Sequence, residues 1–486
     1  MNALVWLRND LRIHDNASFI HAFKHVEGSS NYVFAVYCVC DAQWDEHNVA
    51  PARRLLVLDT LINLQRQLAA RGVCLIVLDS ANFDSSAHDV CTLAQQLNCD
   101  VVHCAYEYPL NERRRDKTAH QQLKQSDIAL IGHHHSCLLP IGHVKKPDGL
   151  QYKVFTPFKK RFLNALECRA DEHPTHSPDQ WQQTPNASIT KRYEDDTIAL
   201  LKQHRARYAS EGHISALYLA DETQILEQLN VFCHSAINDY HTQRDIPIAP
   251  GTSQLSMYLS LGSLSVRTAY QTARRLSQRG DGYHTWVSEL IWREFYRNII
   301  TDNPRLSMGY TFKPQYQDFP WRTHSEHFEA WTHGLTGVPL VDAAMRQLNQ
   351  CGWMHNRLRM VTAMFLTKYL GIDWRLGEQY FMSALVDGDF AANNGGWQWS
   401  ASTGTDAAPY FRVLSPVRQA ERFDPDAAFI KQFVPELMHI PPKAICQLKH
   451  TQWLDTDYPQ PIVDLKTSKQ EIVAQFKALL DKPPEN

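Results

Sequence analysis

The first 133 residues alternate short apolar runs, rich in β-branched side chains, with longer amphipathic stretches, and this alternation strongly limits the possible folds. Strands are predicted at residues 4–7, 32–39, 73–78, 101–106 and 128–131, with helices between them at 54–70, 85–97 and 112–123. Strands and helices that alternate in this way form a parallel sheet covered on both faces, with right-handed connections. The sequence therefore predicts a five-stranded, doubly wound α/β domain that ends near residue 133.

The periodicity breaks between residues 134 and 215, where proline, histidine and polar residues dominate, for example at 171–178. Such a pattern predicts a long connecting segment that wraps along the surface between two domains. Helical patterns then take over at 223–242, 265–278, 283–300, 340–349, 357–370 and 374–385. We therefore expect an α/β domain (1–133), a connecting segment (134–215) and an all-α domain (216–486).

Composition excludes several classes of protein. A hydrophobic fraction of 44% is ample for large cores. The sequence contains no run of about 18 apolar residues, so no membrane span is expected. Charged residues follow the first six at once, so no signal peptide is expected, and eleven scattered cysteines favour a reduced, bacterial-type cytoplasmic protein. No metal site is expected, because the adjacent histidines at 133–135 cannot converge on one ion from a strand.

The net charge of −3 means that a nucleic-acid partner requires a local basic face instead of a global positive field. Arginines that could form such a face cluster in the second half of the chain: Arg293, Arg297, Arg357, Arg359, Arg412, Arg418 and Arg422. Nine of the twelve tryptophans also lie after residue 280, which places the aromatic chemistry in the same half.

The segment 387–412 is dense in chemistry, with carboxylates, amides, two indoles and a guanidinium but few aliphatic residues. Polar groups this dense, if buried, need partners, and a ligand rich in hydrogen-bonding groups would supply them. The alternative is an exposed glycine-rich turn region. Large aromatic side chains are seldom found on open loops, so the segment, whose first part at 387–399 we expect to be a loop, predicts a binding site.

A predicted helix at 283–300 places Glu289, Trp292, Arg293 and Tyr296 on one face, at i, i+3, i+4 and i+7. A solvated stripe with a Glu–Arg pair is the alternative interpretation. The opposite side carries apolar residues that can pack, so the polar and aromatic face is not needed for the core. The pattern on this face therefore favours a functional site over a solvated stripe.

A second helix places Asn356, Arg359 and Met360 on one face, whereas Arg357 points away and is better placed for a phosphate. Together with the first helix and residues 387–399, these side chains suggest one cavity of the kind that binds a cofactor.

A turn with serine and threonine hydroxyls at 251–256 precedes a helix predicted to begin near Met257. Hydroxyls and backbone N–H groups at a helix start suit a phosphate. An ordinary helix cap is the alternative.

Three blocks in order, at residues 289–296, 352–360 and 387–412, resemble the flavin-binding core of the DNA photolyase and cryptochrome family. The resemblance extends from residue 6 to residue 463. It implies an antenna domain, a helical catalytic domain and FAD in a compact, folded shape.

The resemblance assigns FAD contacts to Tyr240, Thr252, Ser253, Gln254, Leu255, Ser256, Trp286, Arg293, Arg359, Asp387, Gly388, Asp389 and Asn393. Asn393 would face the redox-active edge of the flavin. A chain of tryptophans that carries an electron from the surface to the flavin is implied at Trp321, Trp374 and Trp397.

The damaged bases would enter a catalytic cavity lined by Glu289, Trp292, Asn356, Met360 and Trp399. DNA contacts are implied for Arg244, Glu289, Trp292, Tyr296, Asn356, Arg357, Arg412 and Gln419. This pattern of residues resembles that of the bacterial class I enzymes, which act on cyclobutane pyrimidine dimers. Large aromatic rings suit such a substrate because they replace the stacking that a base loses when it flips out of the duplex. A cryptochrome that signals without repair is the alternative function.

The first domain lacks the GxGxxG pattern of a dinucleotide site. The resemblance instead implies a methenyltetrahydrofolate antenna bound by His47, Asn111 and Glu112. Bacterial relatives add a cysteine–lysine pair from the helical domain, where this chain has Ser307 and Met308, so weaker or absent antenna binding is the alternative. The partner implied is UV-damaged DNA, bound by a monomer.

Overall fold

A computed structural model describes residues 2–168, 181–209 and 217–480. Five strands form one fully parallel sheet in the order β3-β2-β1-β4-β5. They are β1 (Asn2–Leu7), β2 (Val33–Val39), β3 (Leu75–Asp79), β4 (Cys99–Ala105) and β5 (Ala129–His133). Every predicted strand is confirmed, with each end within two residues of its expected position.

The sheet forms because its central strands bury side chains on both faces, as parallel strands require. Leu4 pairs in register with Phe34, and both lie with Trp6 and Val36 in one apolar core. The helices between these strands are α1 (Ala17–Val26), α2 (Asp41–Glu46), α3 (Pro51–Ala69), α4 (Phe83–Gln96) and α5 (Leu110–Gln125).

The expectation that residues 134–215 lack regular structure is wrong. This stretch contains α6 (Phe155–Glu167) and the 23-residue α7 (Ala187–Ala209). α7 packs against α3 and β3, and Thr197 on its buried face accepts a hydrogen bond from the backbone N–H of Val77 at 3.1 Å. Its polar composition concealed a helix that is stabilised by tertiary packing. The segment at 171–178 lies outside the described residues.

Regular structure beyond residue 217 is helical among the described residues. The helices are α8 (Glu222–His234), α9 (Tyr240–Gln243), α10 (Ser256–Leu261), α11 (Val266–Leu276), α12 (Asp281–Asp302), α13 (Ser325–His333), α14 (Pro339–Cys351), α15 (Asn356–Phe365), α16 (Trp374–Ala384), α17 (Phe390–Ala401), α18 (Pro416–Phe423), α19 (Ala428–Phe433), α20 (Pro442–Cys446) and α21 (Leu465–Leu480). In the described ranges, none of these helices combines the length and apolar character needed to cross a membrane.

Two predicted elements differ from the structure, one expected to be a helix and one expected to be a loop. The stretch 223–242 is broken after His234, where a 3₁₀ turn precedes α9. Residues 387–399, expected to be a loop, lie mostly in α17, because Asp389 caps the helix by accepting the N–H of Ala392 at 3.0 Å. An N-cap of this kind satisfies an orphan donor and allows a glycine-containing sequence to continue as a helix.

By packing, the chain divides into two compact units, each discontinuous in sequence. Unit 1 comprises the described residues up to Asn238 together with Ser253–Asp302 and Val386–Gly388. Unit 2 comprises Asp239–Thr252, Asn303–Leu385 and the described residues from Asp389 onward. The domain boundaries expected at residues 133 and 215 stay a prediction.

Candidate active site

The predicted polar and aromatic face of α12 exists in unit 1. Glu289, Trp292, Arg293 and Tyr296 are all partly exposed, at the spacing that places them along one side of the helix. The opposite side is buried, through residues such as Ile291. The core therefore uses one side of α12, and the polar and aromatic face stays partly exposed.

One side of the Trp292 indole is covered by Phe155 at the start of α6. The two rings are parallel, with 7° between their planes and 3.6 Å between centroids. The Tyr296 ring, one turn further along α12, has its centroid 5.5 Å from that of Trp292, with 30° between the ring planes. Phe155 was not predicted because α6 was not expected, although the buried residues of this helix recur at helical spacing.

Arg293 is held by two backbone carbonyls. Its guanidinium donates to the oxygen of Ser136 at 2.8 Å and to the oxygen of Leu259, on α10, at 3.0 Å. The neighbouring Glu294 is fully buried and accepts the N–H of Leu138 at 3.1 Å. Burial raises the pKa of Glu294. Arg293 thus joins two elements on which cofactor contacts are predicted.

Two segments predicted to contact FAD meet at Arg53, a buried residue of α3 that sequence analysis missed. Its guanidinium donates to Oγ of Ser260 at 2.8 Å and to the carbonyl of Val386 at 3.3 Å. Ser260 in turn donates to the carbonyl of Gly388 at 3.2 Å. Arg53 therefore fixes α10 to the segment that contains Asp387, which is itself buried.

The turn before α10 has the predicted form, and the helix begins at Ser256, one residue before the expected position. Gln254 adopts a positive φ of 50°, and its neighbour Ser253 accepts a hydrogen bond from Gln228 at 2.9 Å through its carbonyl. The side chains of Ser253 and Thr252 are partly exposed, whereas Leu255 is buried. Trp286, another predicted FAD contact, is buried and packs 5.6 Å from Phe232.

In unit 2, a chain of buried and partly buried hydrogen bonds connects α16 and α17. Nδ2 of Asn393 donates to the backbone carbonyl of Glu378 at 3.0 Å. Nδ2 of Asn394 donates to the side-chain carboxylate of the same Glu378 at 2.9 Å. Gln398 donates to Oδ1 of Asn394 at 3.0 Å and accepts the N–H of Phe312 at 2.8 Å. Burial raises the pKa of Glu378 to about 7. The amide of Asn393 is thereby fixed in orientation.

A partly exposed strip along α17 fits a flat ligand. Asn393, Gly396 and Trp399 recur at i, i+3 and i+6, and all are partly exposed. A methyl group added to Gly396 would meet no atom within 4 Å, so the backbone allows close approach of a ring system. This arrangement suits the flavin contact predicted for Asn393.

The three predicted electron-transfer tryptophans lie in unit 2, one near the surface and two in the interior. Trp321 is partly exposed, and Trp374 and Trp397 are buried. The segment after Trp321 pairs with Ile372, just before α16, while the Trp397 ring lies against Gly377, one turn after Trp374. The indole N–H groups of all three have no hydrogen-bond partner among the described residues. The partial exposure of Trp321 fits the surface end of the predicted series, and the electron-transfer role of the three indoles stays a prediction.

A basic and aromatic cluster in unit 2 contains predicted DNA contacts. The guanidinium of Arg357 donates to Gln419 at 3.0 Å and lies 3.7 Å from the ring centroid of Phe423. It also pairs with the carboxylate of Asp245 at 2.6 Å. Arg244, next in sequence to Asp245, lies 5.4 Å above the ring of Tyr240. Asp245 and Phe423 were not predicted.

The remaining predicted contacts of unit 2 lie on α15 and the loop before α18. Asn356 is exposed at the start of α15, and Met360 is partly exposed one turn later. Nε of Arg359 donates to the carbonyl of Met354 at 2.8 Å. Arg412 is exposed.

The predicted antenna residues are adjacent in unit 1. Nδ2 of Asn111 lies 3.0 Å from Nε2 of His47, which is also 3.0 Å from Gln43. Glu112 has a buried carboxylate oxygen with no hydrogen-bond partner among the described residues, and burial raises its pKa to about 7. A carboxyl group of this kind fits a ligand with N–H donors. Ser307 and Met308 lie in a 3₁₀ turn of unit 2, and Met308 is 58% exposed.

The histidines at 133–135 bind three different partners. His133 lies 3.0 Å from His103, His134 lies 3.2 Å from the Tyr108 hydroxyl, and His135 lies 3.1 Å from Arg12. The three side chains diverge. No metal-binding group of three or more ligands occurs in the part of the chain that the structure describes.

Two family models match this chain. Residues 3–179 match the DNA photolyase model, and residues 286–478 match the FAD binding domain of DNA photolyase. The deoxyribodipyrimidine photo-lyase of Escherichia coli is 40% identical over 98% of both chains. The chain belongs to the DNA photolyase family. A second deoxyribodipyrimidine photo-lyase, from Vibrio cholerae, is also 40% identical, over 98% of this chain and 99% of the relative.

Solved structures of photolyases and a cryptochrome share the fold. A class III photolyase from Agrobacterium tumefaciens has a TM-score of 0.83 and 29% identity, over 99% of this chain and 98% of that chain. A cryptochrome from Synechocystis has a TM-score of 0.81 and 28% identity, over 98% of each chain. The family therefore fixes the fold and FAD as the cofactor, whereas the fold alone does not separate repair from signalling.

Proposed function

We propose that the chain is a deoxyribodipyrimidine photo-lyase that repairs cyclobutane pyrimidine dimers in DNA with light. The observation that carries this proposal is the face of α12, where Glu289, Trp292 and Tyr296 lie side by side and partly exposed. The names of the relatives that are 40% identical over nearly the whole chain support it.

When bound and reduced, FAD supplies the electron, on absorption of light, that splits the cyclobutane ring. The protein's own residues bind and orient the substrate. Trp292 offers a flat apolar surface to a flipped dimer, which replaces the stacking lost on leaving the duplex. Glu289 would donate a proton or hydrogen bond to a dimer carbonyl as negative charge develops there. Arg244, Arg357, Arg412 and Gln419 would bind the DNA strand.

The antenna proposal is methenyltetrahydrofolate, held by His47, Asn111 and Glu112. The short contact between the first two and the buried carboxyl of the third support it. One relative of known structure, from Sulfolobus tokodaii, contains two FAD molecules and is described as implying a novel light-harvesting cofactor. A flavin in the antenna site is therefore the competing ligand. We also propose a monomer that acts in the cytoplasm and, when bound to DNA, at the nucleoid.

The test is irradiation of an oligonucleotide with one cyclobutane dimer, using near-UV or blue light and the reduced protein, followed by an assay of restored bases. A matched oligonucleotide with a pyrimidine–pyrimidone photoproduct is the control. Repair of the first and not the second is expected. Protein that binds FAD and responds to light but restores neither would instead be the cryptochrome-type photoreceptor.

A further inference from the structure

A strongly basic surface precedes and includes the first turns of α6. Between residues 143 and 161 there are six lysines and arginines and one acid, Asp148, which is a local charge of +5 in a chain whose net charge is −3. We name this set the connector surface: Lys145, Lys146, Lys153, Lys159, Lys160 and Arg161. Four of the six are exposed, and Lys146 and Lys159 are partly exposed.

Most of this charge is not neutralised locally. Lys146 pairs with Asp148 at 3.1 Å. Within the described ranges, Lys145, Lys159, Lys160 and Arg161 form no ion pair with a carboxylate. A solvated lysine-rich face usually carries interspersed acids, whereas the one acid of α6 is Glu167, at its far end.

The packing of α6 against α12 brings the α6 part of the connector surface, Lys159–Arg161, near the polar and aromatic face of α12. α6 buries Phe155, Phe158 and Phe162 on one face, and Phe155 forms the parallel stack with Trp292 at 3.6 Å. Phe158 packs 5.2 Å from Phe295, so the helix is attached to α12 by more than one ring. Lys159–Arg161 follow Phe155 by four to six residues, or about 6–9 Å along the helix axis. On DNA this distance spans two or three phosphates of one strand.

We propose that the connector surface is a further DNA-binding element, which binds phosphates next to the damaged bases. The inference rests on the proposed function. In that function Trp292 receives the damaged bases, and α6 is attached to Trp292 through Phe155, so the anion nearest to α6 would be the DNA backbone. Lysines on an exposed helix suit a phosphate backbone, which is bound by charge and not by sequence. The surface adds to the arginine contacts of unit 2 expected from the family.

The test compares the variant Lys159→Gln/Lys160→Gln/Arg161→Gln with Lys24→Gln/Lys117→Gln/Lys124→Gln. The second variant removes three exposed lysines from α1 and α5, on the α/β layer. Dissociation constants of the FAD-containing proteins are measured for a dimer duplex and an undamaged duplex between 50 and 200 mM salt. Removal of one phosphate-binding cation should weaken binding roughly eightfold at about 0.1 M salt and reduce the salt slope by about 0.9. The connector variant should reduce the slope by about twice this amount with both duplexes, and the control variant should leave it unchanged.

An unchanged affinity and salt slope in the connector variant would overturn the inference, as would an equal weakening in both variants. A connector variant that loses binding to phosphatidylglycerol vesicles and not to DNA would overturn it in favour of a membrane surface. Lys159→Arg/Lys160→Arg/Arg161→Lys should keep wild-type binding, which separates loss of charge from misfolding. Failure of the wild-type protein to prefer dimer DNA would contradict the proposed function instead.

Discussion

The guanidinium of Arg357 lies 2.6 Å from the carboxylate of Asp245, so an arginine expected to bind a DNA phosphate already has an anionic partner. Both side chains are partly exposed, and ion pairs of this kind contribute about 0–1 kcal/mol. DNA must share or displace the carboxylate.

Asp245→Asn should therefore strengthen binding of a dimer duplex by up to about fivefold. This factor is the affinity equivalent of about 1 kcal/mol, the energy of an ion pair that no longer has to be broken on binding. Asp455→Asn removes the same charge from an exposed position and is the control. Equal gains in both variants, measured by fluorescence anisotropy, would mean that net charge and not the pair with Arg357 is responsible.

Glu289→Ala should lower the number of dimers split per absorbed photon while FAD stays bound. Loss of a hydrogen bond worth about 1 kcal/mol should lower the rate of ring splitting, relative to the rate at which the electron returns to the flavin, about fivefold. Glu289→Gln keeps an N–H donor and should retain more of the yield. If the alanine variant splits dimers as efficiently as the wild type, Glu289 has no part in the reaction.

Trp321→Phe should slow light-driven reduction of oxidised FAD by a large factor, because phenylalanine is much harder to oxidise than tryptophan. The absorbance of FAD during illumination with an external reductant measures the rate. Trp453→Phe removes a buried indole that packs 6.1 Å from Tyr458 and serves as the control. Repair by chemically reduced Trp321→Phe protein should continue, and its loss would make Trp321 structural or part of the DNA site.

Arg53→Met should weaken FAD retention about tenfold or more, because a buried charged donor to Ser260 and Val386 is removed. Flavin absorbance per protein after dialysis measures retention. Arg54→Met is a closely matched control on the same helix, since Arg54 is also buried but donates to Asp45 and to the carbonyl of Val49. Equal flavin loss in the two variants would indicate general damage to α3.

Glu378→Gln should reduce the loss of stability that accompanies rising pH. The folded protein holds the Glu378 proton with a pKa of about 7, above the ordinary value of 4.5, so the stability due to this group falls between pH 4.5 and 7. This fall in the free energy of unfolding between pH 4.5 and pH 7 amounts to about 3 kcal/mol. Glutamine preserves an oxygen for the hydrogen bond from Asn394. Urea unfolding at pH 5 and pH 8 should show a smaller difference for the variant, and an identical difference would contradict the assignment.

Local patterns were sufficient for the elements whose periodicity is strong. The five strands were predicted because β-branched runs alternate with helices, and the face of α12 was predicted because i, i+3, i+4 and i+7 spacing survives folding. α7 was missed because its stability comes from packing against α3 and β3, and its own composition is polar. The stretch 387–399 was misjudged because a single cap, Asp389, decides whether it is a loop or a helix.

The sequence by itself determined the fold class, the family blocks and the residues that share a helix face, since these depend on composition and spacing. Only the tertiary structure decided which distant side chains meet. Phe155 lies on Trp292, Arg53 joins two segments that are predicted to contact FAD, and Asp245 pairs with Arg357 across more than a hundred residues. Such contacts depend on chain topology and packing, which carry no local sequence signal.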